Sequence, residues 1–175
     1  HVFRRRQRQM CIRDSPYGLS KRQGIPEMQN FFILHEGPLS ITDGVLEEYD
    51  YDDLKDDKKI KHSSVGGWIG MTDKYWQTAI IPNQNEPVQQ TYSYSFVDNI
   101  DNFQTDIVGE RIAVSNNASI SHNFKIFAGP KIVNIIDKYM EEYGFDGFDR
   151  SVDFGWFYFL TKPIFNVLEF IYGYV

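Results

Sequence analysis

The sequence is poor in the features that most often announce chemistry. Of its 175 residues only Cys11 is a cysteine, so no intrachain disulfide is open to it. His35, His62 and His122 stand far apart, without a second ligand three to five residues away, which excludes the short-spaced zinc motifs. The glycine-rich Gly66-Gly67-Trp68-Ile69-Gly70 lacks both the dinucleotide spacing and a Walker lysine, and a tight turn or bulge is its expected use. No uninterrupted run of ~20 apolar residues is present, so no segment reads as a bilayer span. Basic charge is also scarce. The formal charge is −6, and residues 1–15 hold five Arg and one Asp, so the remaining 160 residues carry 13 Lys plus Arg against 23 Asp plus Glu, a net −10. That balance argues against a nucleic-acid partner.

The basic start, Arg4 to Ser15, contains no apolar run that could serve as a secretory signal. It resembles translated sequencing-adapter read-through, and residues 1–15 are set aside on that ground, Cys11 with them. The expectation is then a domain that begins within its own fold, with sequence lost before it.

Acidic residues invite a calcium reading between Glu47 and Asp57. From Asp50, however, the fifth position is Leu54 and the sixth, where an EF-hand loop needs glycine, is Lys55. With Lys55, Lys58 and Lys59 interspersed, a solvated loop is expected. Ser121 beside His122 is no catalytic pair, because strand neighbours point to opposite faces. Paired carboxylates of the glycoside-hydrolase kind stay open, since their separation of ~5 to 9 Å is set in three dimensions. Asn117-Ala118-Ser119 fits a glycosylation acceptor, a pattern common by chance.

What is present is β-structure. Phe31–His35 is a short apolar run, and Asp43-Gly44 divides two strand-like pieces as a hairpin turn does. Tyr92, Tyr94 and Phe96 alternate with polar neighbours, as do Ile120, His122, Phe124 and Ile126, which puts His122 on a core face. Lys59–Ser64, Trp76–Ile81, Phe103–Val108 and Arg111–Val114 complete the set, spaced as in an antiparallel sandwich. After Ala128-Gly129-Pro130 the period changes. Ile132, Ile135, Ile136, Tyr139, Met140 and Tyr143 recur at helical spacing ahead of Gly144, and Phe145–Ser151 reads as a connector.

The last stretch, Asp153–Val175, is the most unusual, with nine aromatics in 23 residues. Within it, Lys162, Asn166, Glu169 and Gly173 would form one narrow polar stripe on a helix that is otherwise apolar. Thr161 is a candidate N-cap, with Pro163 in the first turn and Asp153–Leu160 as a separate approach. Two readings stand: a helix lying in the headgroup plane, with Lys162 snorkelling outward, or a C-terminal core helix. In the first, the membrane-interface residues are Phe154, Trp156, Phe157, Phe159, Lys162, Ile164, Phe165, Leu168, Phe170, Ile171 and Tyr172.

Four long segments carry a family resemblance: GPLSITDGVLEEYDYDDLKDD (37–57), GGWIGMTDKYWQTAIIP (66–82), FAGPK (127–131) and FDRSVDFGWFYFLTKPIFNVLEFIYGYV (148–175). In that order they resemble the large periplasmic domain of bacterial YidC-type membrane protein insertases. The resemblance implies a mainly β protein: a twisted antiparallel β-sandwich over residues 16–150, ending in one amphipathic helix, then an interfacial aromatic helix over 151–175 that leads to a transmembrane part beyond this chain. It implies a scaffold on the periplasmic side of the inner membrane, without catalysis or cofactor. The implied partners are the bilayer surface, nascent membrane proteins, and the Sec translocon with its accessory subunits. A carbohydrate-binding or carbohydrate-processing sandwich, stacking sugars on Tyr92, Tyr94 and Phe96, is the rival reading.

Overall fold

The structure, a computed structural model, describes residues 16–24, 35–114, 119–153 and 158–172. The apolar run at 31–34 lies outside them. Among the described residues, nine strands form two sheets in which every pairing is antiparallel: β1 (Pro16–Gln23), β8 (Ile100–Gly109), β7 (Pro87–Val97) and β4 (Lys59–Val65) in that order, and β3 (Val45–Glu48), β2 (Gly37–Thr42), β5 (Trp68–Thr72), β6 (Trp76–Ile81) and β9 (Lys125–Pro130). Helix α1 (Tyr51–Asp57) links β3 to β4. After β9 come α2 (Val133–Tyr143), a 3-10 turn (Phe148–Ser151) and α3 (Tyr158–Tyr172).

Tight turns set the hairpins. Asp43 and Gly44 both have positive φ (48° and 79°), which matches the twist of β2 and β3 with Thr42 opposite Val45. Asp98 and Asn99 (53° and 61°) repeat the device between β7 and β8. At Gly66-Gly67 the chain crosses from one sheet to the other, also with positive φ (67° and 74°). A Cβ on Gly67 would run into the carbonyl oxygen of Ile41, so glycine is required there for space as well as for conformation.

The five-stranded sheet is a shared wall. Ile69, Met71 and Ile80 on one face pack with Val88 and Tyr92 of β7, Phe103 and Ile107 of β8, and Tyr51 and Leu54 of α1. Leu39, Ile41, Trp68, Ala79 and Ile81 on the other face pack with Ile136 of α2 and with Phe145 and Phe148. Three layers result: sheet, sheet, and a helical layer. Successive side chains of a strand point to opposite faces, so a wall buried on both sides is apolar at nearly every position, and all five residues of β5 are buried.

Several expectations are corrected. The acidic run is a short helix rather than a loop: Asp50 N–H donates to Asp53 Oδ2 (3.4 Å), and Tyr51 and Leu54, three apart, turn inward while the carboxylates face water. Arg111–Val114 is not a strand, holding only an isolated bridge at Ile112. Residues 120–124 are not a strand either, and β9 starts at Lys125. Its outward row stays open, with Ile126 66% exposed, because the four-stranded sheet ends with β1 over β6. His122 is therefore no core residue; it is part-exposed, with Nδ1 3.6 Å from Glu86. Nor is Phe145–Ser151 a loose connector. Phe148 is fully buried, its ring edge-on to Trp68 at 5.3 Å, and Trp68 Nε1–H donates to the Asp146 carbonyl (3.2 Å).

The helix after β9 matches its reading. Ile132 precedes it, and Gly144 ends it in the left-handed conformation (φ 66°) with its N–H on the Met140 carbonyl (2.9 Å).

Two predictions follow from this packing. Phe148→Ala is expected to cost about 3–5 kcal/mol in urea unfolding, since the cavity would open where the turn, Trp68 and Phe145 meet. Burial also raises the phenol pKa of Tyr92 well above its ordinary value of 10.0, and raises Tyr51 for the same first cause. A raised folded pKa contributes stability that is complete below 10.0 and lost as pH rises beyond it, at about 1.4 kcal/mol per pH unit for one group. Urea midpoints measured above pH 10.0 are expected to fall steeply, and Tyr92→Phe to flatten that fall.

Candidate functional site: an apolar helix and its polar clamp

Helix α3 has an uncommon surface. Phe159, Leu160, Ile164, Phe165, Val167, Leu168, Phe170, Ile171 and Tyr172 are all exposed, from 37% at Phe165 to 83% at Tyr172. At 100° per residue these positions cover about two thirds of the helix circumference, leaving one narrower sector that holds Lys162. A water-facing helix normally keeps a polar face, and apolar exposure on this scale marks a surface that something else covers. The core-helix reading does not hold among the described residues, for the same reason.

The helix starts earlier than the sequence suggests. Tyr158–Leu160 are already helical, so Thr161 is not the N-cap and Pro163 lies in the helix interior as the sixth residue. There its missing N–H removes one backbone hydrogen bond, and its ring crowds the preceding turn. Phe154, Trp156 and Phe157 lie outside the described residues. With 15 residues α3 is ~22 Å long against a hydrocarbon core of ~30 Å, and no described helix is long and apolar enough to cross a membrane.

Lys162 is the exception on this helix. Its ammonium donates to Asp149 Oδ2 (2.9 Å) in the 3-10 turn and to Asp137 Oδ1 (3.1 Å) on α2. All three side chains are more than 70% shielded from solvent (19%, 16% and 27% exposed), which lifts the contact above an ordinary surface pair. Rather than reaching outward, Lys162 fastens α3 to the helical layer. Sequence reasoning saw its place in the polar stripe but had no means of pairing it with carboxylates 13 and 25 residues away.

Elsewhere the polar groups are structural or scattered. Tyr49 Oη and His62 Nε2 bond at 2.7 Å beside Tyr92, and Tyr94 Oη donates to Asp101 (2.8 Å). No group of three or more His, Cys, Asp and Glu side chains suited to a metal exists among the described residues. One open cavity of about 410 Å³ lies between the sheet ends near Asp43, Ser64, Gln89 and Glu110. Another, about 480 Å³, lies between β9 and α2, where Lys125 sits 4.1 Å from the Tyr143 ring centre and 5.1 Å from that of Phe145. No local pattern signals this lysine between two rings, which depends on β9 lying beside the α2 terminus. The aromatic row offered for sugar stacking also fails to form one platform: Tyr92 is fully buried and Tyr94 part-buried, and only Phe96 reaches water.

Fold and site thus define a class: a β-sandwich body with a covered outer sheet face, carrying a short exposed apolar helix at its C-terminal end. The profile of the family described as YidC periplasmic domain matches residues 7–167, and the chain belongs to that family. Its match begins within the basic opening segment. Over 160 residues, 91% of the chain, it is 41% identical to the membrane protein insertase YidC of Rickettsia canadensis (strain McKiel) and of Rickettsia rickettsii (strain Sheila Smith). It is 39% identical over the same length to the membrane protein insertase YidC of Rickettsia prowazekii (strain Madrid E). The chain spans 29% of the length of each of these relatives. These matches give the carbohydrate reading no support.

The clamp is testable. Lys162→Met would leave two shielded carboxylates without their shared cation, and is expected to lower stability by about 1–3 kcal/mol. In a double-mutant cycle with Asp149→Asn, the second substitution is expected to cost less in the Lys162→Met background than alone.

Proposed function

We propose that this chain is the periplasmic portion of a bacterial inner-membrane insertase, in which the β-body is a scaffold and α3 lies flat on the bilayer surface. The observation that carries this reading is the exposed apolar surface of α3, which covers all of the helix except the sector of Lys162. The described α3 is ~22 Å long against a hydrocarbon core of ~30 Å, and it is apolar for a water-facing helix; a place in the headgroup boundary fits both conditions. Phe154, Trp156, Phe157, Phe159, Ile164, Phe165, Leu168, Phe170, Ile171 and Tyr172 are the residues assigned to that boundary. Lys162 is assigned to it as the point where the helix turns from lipid to protein. Relatives named membrane protein insertases support an insertase function for the whole protein, and we assign to it nascent membrane proteins as clients, taken up alone or beside the Sec translocon and its accessory subunits. No catalytic step or cofactor is assigned to this portion.

Full-length chain is expected to co-sediment with anionic phospholipid vesicles. Phe165→Asp with Phe170→Asp is expected to abolish binding while leaving the β-body folded, because each apolar side chain withdrawn from water contributes ~1.5–3 kcal/mol. Oriented circular dichroism of residues 153–175 is expected to report a helix parallel to the bilayer. A transbilayer signal, or no partitioning, would overturn the reading.

A further inference from the structure

The turn between β5 and β6, Asp73-Lys74-Tyr75-Trp76, is not used by anything described above. Tyr75 is 66% exposed and Trp76 62%, and the Lys74 ammonium lies 5.3 Å from the centre of the Tyr75 ring. The turn is firmly built: Asp73 N–H donates to the Trp76 carbonyl (2.7 Å), Lys74 N–H to Asp73 Oδ1 (2.8 Å), and Arg22 stands 3.5 Å from the same carboxylate. Its position is equally defined. The Tyr75 carbonyl accepts the Lys131 N–H (2.8 Å), Trp76 pairs with Pro130, and Ile132, just before α2, is exposed. Helix α2, which starts beside this turn, carries Asp137 of the clamp that holds α3 to the body.

We infer that the β5–β6 turn, through Lys74, Tyr75 and Trp76 with Ile132 behind them, is a second contact with the lipid headgroup zone, seating the β-body on the bilayer at the end where α2 begins. The inference rests on the reading of α3 as a bilayer-surface helix. Tyrosine and tryptophan settle at the membrane–water boundary, where a ring is half withdrawn from water and its polar edge stays hydrated, and a neighbouring lysine can reach the phosphates. A four-residue tip offers little of the ~800 Å² per partner that a stable protein interface buries, whereas a bilayer asks only that the tip sit at the right depth. The body's negative charge opposes its approach to anionic lipid, but ring partitioning at the tip is driven by apolar area rather than by attraction to anionic lipid.

The test uses the full chain with Trp156→Phe, which leaves Trp76 as the accessible indole because Trp68 is fully buried. Vesicles of phosphatidylcholine and phosphatidylglycerol carrying bromine at graded acyl depths are titrated while co-sedimentation records binding. The expected result is quenching of Trp76 that is strongest for the shallowest bromines, with a partition coefficient about tenfold lower for Tyr75→Ser with Trp76→Ser. Binding without quenching of Trp76 overturns the inference and leaves the reading of α3 standing. Absence of binding overturns both. A concentration-dependent dimer in analytical ultracentrifugation that the Tyr75→Ser, Trp76→Ser pair abolishes would assign the tip to a second copy, and also overturns it.

Discussion

The constraint on which the rest depends is that the five-stranded sheet must be dry on both faces. One face needs the four-stranded sheet and α1, the other needs α2 and the turn at Phe148, so neither cover can be removed without wetting Leu39, Ile41 and Trp68 or Ile69, Met71 and Ile80. The close approach of strands in this wall leaves no room for a Cβ at Gly70, where it would strike the Thr78 carbonyl. The wall also explains why aromatic rings concentrate at Phe127, Phe145 and Phe148, which fill the wedge between a twisted sheet and a helix by edge-on contacts at 5.3 to 5.7 Å.

From that wall outward, each layer fixes the next. Burial of Val133 and Ile136 sets the rotation of α2 and leaves Asp137 at the border of its buried face. Burial of Phe148 sets the 3-10 turn and leaves Asp149 beside it, at the same height. Two carboxylates held by two separately packed elements then define a single position for a cation, and Lys162 occupies it. The direction in which α3 leaves the body is thus traceable to the core through the clamp.

How much of this could be read from the residues depends on whether local pattern or distant packing decides. β6 was legible to the residue and β4 to within one, because half-buried alternation and turn punctuation agree there. β5 was not, because a strand buried on both faces shows no alternation, and Trp68–Thr72 looks only like the tail of a glycine turn. Ile120–Ile126 failed in the opposite sense: the alternation is real, but the sheet that would have covered its apolar row ends at β1, and a pattern of period two cannot report how wide the opposite sheet is. The helix in the acidic run was hidden by charge, since two inward residues, Tyr51 and Leu54, decide its fold while five aspartates decide its appearance. For the terminal helix the apolar residues were legible, but the clamp was not, because ion pairs between separate elements leave no periodic trace.

The energetic scale of the two ends of α3 is unequal, and that inequality has a consequence. The clamp at Lys162 is worth a few kcal/mol at most, whereas the exposed apolar side chains of α3 would each gain ~1.5–3 kcal/mol on leaving water. Whatever apolar phase covers the helix therefore decides where the helix lies, and the clamp decides only how the β-body is oriented upon it. A body with net charge −10 over residues 16–175 is repelled from an anionic surface, most strongly at low salt, so a rigid and short connection between helix and body would set attraction at one point against repulsion across the rest. The clamp lies at the helix's N-terminal end, close to where Asp153 leaves the body, and this leaves most of the apolar length of α3 free of the protein. On the proposed reading of α3, an acidic β-body can stand beside the surface that the helix occupies, tethered at one end and held off elsewhere by its charge.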